Sequence, residues 1–356
     1  MTLVLVALLL VPVAKEEDSV EALLRAGDLE AASAALEGSL ADLEGEVERA
    51  ESALLLSECY LQMRLPEKAA RALSLGPPAM KTDPRYSYCM AEVLAARGET
   101  IEAEKLLEGV VGASADLRSI FRLGVLLYER GDHQRVEKLL AGHAAGEAPG
   151  YYCGIYRARS LLALNRPDEA AAVLAVIRKS RDTPEVLYLL GRVACLQAKY
   201  AVAAGYFRRA LLEDKAYLEA SFSLSRVLRR GGDKEGAETE LRKFVQLQKA
   251  DRVRLRKANL LSQRCRREPA RADIWIEAGE YHLSAGDDDQ ALSHAWKALS
   301  LEPRQARARL LLARSLRQSG AFGQAVLHYR KVIIQAPGNK IAEDELREMI
   351  RKHAKQ

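Results

Sequence analysis

The chain has 356 residues, of which only 6% are aromatic, and Ala, Leu, Glu and Arg dominate; these residues lose little side-chain freedom in a helix. The formal net charge of +5 is unevenly spread, with 20 basic against 27 acidic residues in 1–180 and 34 against 22 in 181–356. No segment alternates with period two, which excludes a sheet protein, and five scattered cysteines (Cys59, Cys89, Cys153, Cys195, Cys265) without a C-x-x-C pair exclude a disulfide framework or zinc site.

At the N-terminus, residues 3–14 form an apolar run followed by Lys15 and three acids. Its length fits a secretory h-region and is too short to span a bilayer. No basic residue precedes it, and Pro12 sits poorly for a cut after Ala14, so a hydrophobic first helix is the other reading. Export to the periplasm or beyond is expected if residues 1–14 are a signal peptide, and a cytoplasmic location otherwise.

Beyond it, a small or β-branched residue recurs in phase: Ala32, Ala69, Ala103, Val136, Ala170, Ala203, Ala237, Ala291 and Ala325. Successive spacings are 37, 34, 33, 34, 33, 34, 54 and 34, close to a helix–turn–helix unit of about 34. Twelve residues earlier stands another small residue in eight of nine units, from Ser57 and Ala91 to Gly279 and Ala313, with Val20 the exception. A larger apolar residue usually follows four later, as at Leu36, Leu107, Leu174 and Phe207. Two antiparallel helices approach closely only where facing side chains are small, and the larger residue fills the gap between units. Turn signals punctuate the pattern, as in Gly27-Asp28, Gly131-Asp132 and Gly286-Asp287, where Gly ends one helix and Asp caps the next.

The sets Leu190-Gly191…Ala203…Phe207…Ala210 and Trp275…Gly279…Ala291…Ala298…Pro303 resemble the tetratricopeptide-repeat (TPR) signature. The resemblance extends from about residue 15, most clearly at 184–217, 272–305 and 306–339. It implies an all-α fold: a right-handed superhelical solenoid of about nine repeats, each stacked on its neighbours only. The first helix of each pair would line a concave surface. Residues 340–356, with Ile341, Leu346 and Ile350 on one side, read as a capping helix.

The spacing of 54 marks an insertion of about twenty residues. Nothing between Glu235 and Arg267 breaks a helix, so a second helix overruns its normal end or two helices kink near Asp251. The expected partition is an N-terminal array over 15–250, a basic insertion over 251–271, two repeats over 272–339, and the cap.

No catalytic constellation emerges, and neither a metal nor a cofactor is expected. Six histidines form no H-E-x-x-H set, and His282 takes a packing position. Asp287-Asp288-Asp289 follows a turn glycine as a helix cap rather than a calcium loop.

The fifth residue of each first helix should face the groove, giving Tyr88, Phe121, Ile155, Tyr188 and Phe222 among others; the ninth gives the basic row Arg159, Arg192 and Arg226. Aromatic anchors beside guanidinium forks are the makings of a binding hot spot for a protein or peptide, acidic ones included. Asn is absent at every ninth position, a departure from the TPR clamp that grips chaperone C-termini. A second candidate is the basic patch Arg252, Arg254, Arg256, Lys257, Arg264, Arg266 and Arg267, in a stretch (242–271) with eleven basic and two acidic residues. It suits an anionic polymer or membrane, but carries no base-reading motif or stacking platform, which argues against nucleic acid. The sequence reading is thus a non-enzymatic scaffold that holds a partner polypeptide, with a part in assembling an envelope or secretion complex as one role. An adaptor docking through its basic segment is the alternative.

Overall fold

The computed structural model describes residues 19–114, 116–144, 149–179 and 182–353; the apolar run 1–14 lies outside them. Among these residues the secondary structure is α-helical apart from one 3₁₀ turn, Pro78–Thr82. Eighteen helices form nine consecutive pairs: α1 (Val20–Ala26) with α2 (Leu29–Leu40), α3 (Glu46–Gln62) with α4 (Pro66–Leu75), α5 (Pro84–Arg97) with α6 (Thr100–Ala113), and α7 (Leu117–Arg130) with α8 (His133–Leu139). There follow α9 (Gly150–Ala163) with α10 (Pro167–Arg178), α11 (Pro184–Leu196) with α12 (Tyr200–Glu213), and α13 (Leu218–Arg230) with α14 (Lys234–Arg267). Next come α15 (Ala272–Ser284) with α16 (Asp288–Leu301), and α17 (Ala306–Gln318) with α18 (Phe322–Gln335); α19 (Lys340–His353) closes the series.

The phase marker does what its size requires. Ala32, Ala69, Ala103, Val136, Ala170, Ala203, Ala291 and Ala325 are wholly buried and Ala237 nearly so, where the second helix of each pair leans on the first. At Gly191 a Cβ would run into the Phe207 ring, so the small residue of one helix and the large residue of its partner are one packing unit. Between α1 and α2 the turn is made as the residues dictate. Gly27 sits at φ 74° in the left-handed region, and the Asp28 carboxylate accepts from the Ala31 amide at 3.1 Å. Three turns reach the left-handed region without glycine, at Arg64, Asn165 and Ala198.

The described residues divide into two compact units, one within 97–253 and one of 19–96 with 254–353. The second joins both ends of the chain, which differs from the partition expected at 250 and 271 and from stacking on sequence neighbours alone. The physical reason is a shared core. Leu23, Leu36, Leu54 and Tyr60 belong to one apolar cluster with Trp296, Leu312, Tyr329 and Leu346. A buried ionic network lies beside it. Arg309 on α17, only 3% exposed, forks onto Glu30 of α2 at 2.5 and 3.1 Å and donates to the Pro303 carbonyl at 2.7 Å and the Gln335 amide oxygen at 3.1 Å. Lys331 of α18 reaches Asp28 at 2.7 Å and Glu30 at 3.3 Å.

The insertion is one uninterrupted helix, α14, without a break at Asp251. Of the face expected for the cap, Leu346 is buried and Ile350 packs half-buried on the same core, whereas Ile341 is exposed and Ala342 and Met349 are buried in addition. Arg314 pairs with Glu345 at 2.6 Å, and the Tyr329 hydroxyl donates to the same carboxylate at 2.9 Å, which fixes α19 on its neighbours.

Candidate protein-binding face

Within residues 97–253 the first helices α7, α9, α11 and α13 carry the expected groove residues. An aromatic row accompanies them. The Phe121 ring lies 6.0 Å from Tyr152 and 5.9 Å from Tyr156, and Tyr156 meets Tyr128 edge-on at 5.1 Å. Tyr188 packs on Tyr217 at 5.2 Å and Phe207 at 5.8 Å, while Phe222 lies 5.0 Å from Phe244. Phe121 and Tyr188 are half-buried and Phe222 is exposed, so each ring is held by a neighbour while part of its surface stays available.

Two expected members fall elsewhere. Ile155 is 2% exposed and packs in the core of α9–α11, in one apolar cluster with Leu161, Leu174 and Leu189. Tyr88, on α5, belongs to the other compact unit and rests half-buried on that unit's core.

The basic row divides as well. Arg159 is already engaged, 2.6 Å from the Glu185 carboxylate and over the rings of Tyr156 at 5.6 Å and Tyr128 at 6.0 Å. Such a guanidinium, stacked and paired, offers a newcomer little net charge. Arg192 and Arg226 are different, because no carboxylate among the described residues comes within ion-pair distance of either. Arg226 lies 5.7 Å over the Phe222 ring, and Arg230, one turn on, 5.9 Å over Tyr200. All three cations act on the half-buried Cys195 thiol: burial pushes its pKa up, and Arg230, Arg226 and Arg192 pull it back down. Burial likewise raises the Tyr217 and Tyr156 hydroxyls above the ordinary tyrosine range.

Reading only fifth and ninth positions missed Tyr152, Tyr156, Tyr128, Tyr217, Phe244 and Glu185. Part of the signal was present: Tyr152, Tyr156 and Arg159 stand at i, i+4 and i+7 of one helix, which places them on a single stripe.

The basic segment splits by helical face. Arg264 pairs with Glu277 at 2.7 Å, Arg254 donates to the Ala285 carbonyl at 3.3 Å, and Lys257 lies 4.6 Å over the Tyr281 ring. These three make contacts toward α15, although Arg254 and Lys257 stay exposed, as do Arg252, Arg256, Arg266 and Arg267.

His282 is a core residue, as its position suggested, with Nδ1 3.0 Å from the Asp287 carboxylate and its ring stacked on His294 at 5.1 Å. Asp287 caps α16 through the Gln290 amide at 3.3 Å. No group of three His, Cys, Asp or Glu side chains among the described residues could hold a metal ion, and no described helix is long and apolar enough to cross a membrane.

A series of two-helix units with small residues at the crossing and a side-chain-rich face on the first helices defines a helical-repeat interaction protein. Residues 23–93 match one tetratricopeptide-repeat family model, and residues 157–216, 197–251 and 276–340 match a second. Together they cover well over half of the sequence, and the chain belongs to the tetratricopeptide-repeat family. No curated protein matches it. Among solved structures, a MamA fragment from Desulfovibrio magneticus RS-1 is 20% identical, covering 56% of this chain and 96% of that one with a TM-score of 0.31. A tetratricopeptide repeat protein from Parabacteroides merdae is 14% identical, covering 75% and 98% with a TM-score of 0.39. The C-terminal part of a TPR repeat-containing protein from Cytophaga hutchinsonii is 18% identical, covering 64% and 84% with a TM-score of 0.32.

Proposed function

We propose that this protein is a non-catalytic scaffold whose face on α9, α11 and α13 holds an extended or helical segment of another polypeptide. The observation that carries this reading is the pairing of partly exposed rings with unspent cations. Tyr188 and Phe222 supply apolar anchorage, and Arg192 and Arg226, without carboxylate partners of their own, supply charge recognition. Guanidinium forks grip carboxylates bidentately, and aromatic anchors dominate the energy of such interfaces. The favoured partner segment therefore carries acidic residues spaced to meet α11 and α13. Arg159 serves as a support, held by Glu185 and stacked on the tyrosines.

The proposal also takes residues 1–14 as a bacterial export signal and the bound polypeptide as a component of an envelope or secretion assembly. Support comes from the apolar run at residues 3–14, which matches a secretory h-region in length. Cell fractionation with an epitope at the C-terminus tests this part; recovery of the uncleaved chain in the cytosol would refute it.

The binding face is tested by crosslinking pull-down with the native protein and with Arg192→Glu/Arg226→Glu as baits. Both positions are free of internal ion pairs, so the fold should survive charge reversal. A partner captured by the native bait and lost with the variant supports the reading. The same partners retained at the same yield would reduce the two arginines to solvated surface.

A further inference from the structure

Three guanidiniums gather around one point in the unit of residues 97–253. Arg226 and Arg230 stand one turn apart on α13, which turns them to the same side of that helix. On α11, Cys195 follows Arg192 by three residues, and it packs against a cluster in which Ala194 of α11 meets Leu224, Val227 and Leu228 of α13. The charges of all three arginines reach its thiol. Among the described residues no carboxylate comes within ion-pair distance of Arg192, Arg226 or Arg230. Two of the three are also held in place by rings, Arg226 at 5.7 Å over Phe222 and Arg230 at 5.9 Å over Tyr200. A guanidinium resting on an aromatic face keeps its N–H groups for an acceptor and loses less freedom on binding one.

Building on the polypeptide-binding face proposed above, we infer that this cluster receives a phosphorylated serine or threonine of the bound segment. The count of charges and acceptors decides. A carboxylate brings one charge and two oxygens, enough for a single bidentate fork, and leaves two cations facing each other. A phosphoryl group brings close to two charges and three strong acceptor oxygens, one for each guanidinium. Arg226 and Arg230 are exposed and Arg192 is half-buried, a shallow setting that suits the short stem of phosphoserine. The positive surface does not run on as a nucleic-acid backbone would require, since toward α9 Glu185 neutralises Arg159.

The test is fluorescence anisotropy of the full chain with three labelled peptide mixtures, alike in their randomised flanks and carrying phosphoserine, Asp or Ser at the centre. The phosphoserine mixture should bind about tenfold more tightly than the Asp mixture, and the Ser mixture more weakly than either. Arg230→Gln should lose about tenfold for phosphoserine, and Arg230→Lys, which keeps the charge without the fork, should recover part of that loss. Arg229→Gln removes the same charge from the neighbouring exposed position and should stay within about twofold. Unchanged helical circular dichroism confirms that the variants fold. Equal binding of the phosphoserine and Asp mixtures, both lost with Arg192→Glu/Arg226→Glu, overturns the phosphate inference and leaves the groove reading standing. Binding indifferent to that charge reversal takes the groove reading down with it. The inference also falls if the phosphoserine mixture does not bind at millimolar concentration. It falls again if Arg229→Gln loses as much as Arg230→Gln, which would reduce the effect to net charge.

Discussion

The buried network around Arg309 makes the sharpest demand on the structure. Replacing it by Met keeps the volume of the stem while removing a guanidinium that holds Glu30 in two contacts and the Pro303 carbonyl in a third. Breaking a buried ion pair from one side costs 3–5 kcal/mol, because the remaining charge is stranded. Lys331 still stands 3.3 Å from Glu30, which places Arg309→Met at the lower end, about 3 kcal/mol. For a compact unit of about 200 residues that corresponds to a melting shift of roughly 6–12 °C. Arg85, paired with Glu51 at 2.6 Å where both side chains are well exposed, is the control; Arg85→Met should cost under about 1 kcal/mol. Adding Glu30→Met to Arg309→Met should recover much of the loss, since the stranded charge is then gone. Calorimetry reads the shift, and hydrogen exchange should show α1 and α2 opening first. If Arg309→Met melts within a degree or two of the Arg85→Met control, the first helix pair is not anchored on α17 and α18.

Other consequences are more local. Gly191→Ala should destabilise by about 1–3 kcal/mol, because the new methyl meets the Phe207 ring; urea unfolding reads this directly, and a neutral result would mean the α11–α12 crossing is looser than described. His328 is buried, and burial, with Lys331 and Arg309 adding to it, pulls its pKa down to about 3. A depressed histidine binds its proton in the unfolded chain first, so stability is full above about pH 6.5 and is lost as pH falls toward 3, by up to about 1.4 kcal/mol per pH unit. His328→Gln should flatten that slope in acid unfolding curves, and an unchanged slope would assign the acid lability to carboxylates alone. Burial pushes the thiols of Cys59 and Cys153 up to about 11, whereas Cys195 is the one half-buried cysteine and sits among Arg192, Arg226 and Arg230. Cys195 should therefore be alkylated first in the native protein, as peptide mass spectrometry would show, and bound partner should slow it; uniform labelling of all five would contradict this.

Much of the fold was legible because its determinants are local. A small residue, Ala in eight units and Val136 in the ninth, marks each helix crossing at a spacing close to 34 with one exception, and each marker is buried. What the period could not carry was contact between residues 279 apart: Glu30 and Arg309 are ordinary surface-type residues in their own repeats, and only the path of the chain brings them together. The cap shows the same limit at small scale, since one step round the helix exchanges Ile341 for Ala342. At the candidate face, periodicity gave the repeat position of each residue but not the burial of its side chain, so Ile155, expected in the groove, lies in the core. Charge pairing was invisible too. Arg159, Arg192 and Arg226 occupy the same repeat position, yet only Arg159 is engaged by a carboxylate, Glu185 on the first helix of the following pair.

The most direct test of the scaffold reading is site-specific photocrosslinking. A photoreactive residue replaces exposed Phe222 on the proposed face, or exposed Leu212 on the second helix of the preceding pair, in the full chain expressed in cells. The account predicts a discrete protein adduct from position 222 that is absent from position 212 and is lost when Arg192→Glu/Arg226→Glu is added. Adducts of equal yield from both positions, or an adduct from 222 indifferent to the charge reversal, would contradict it.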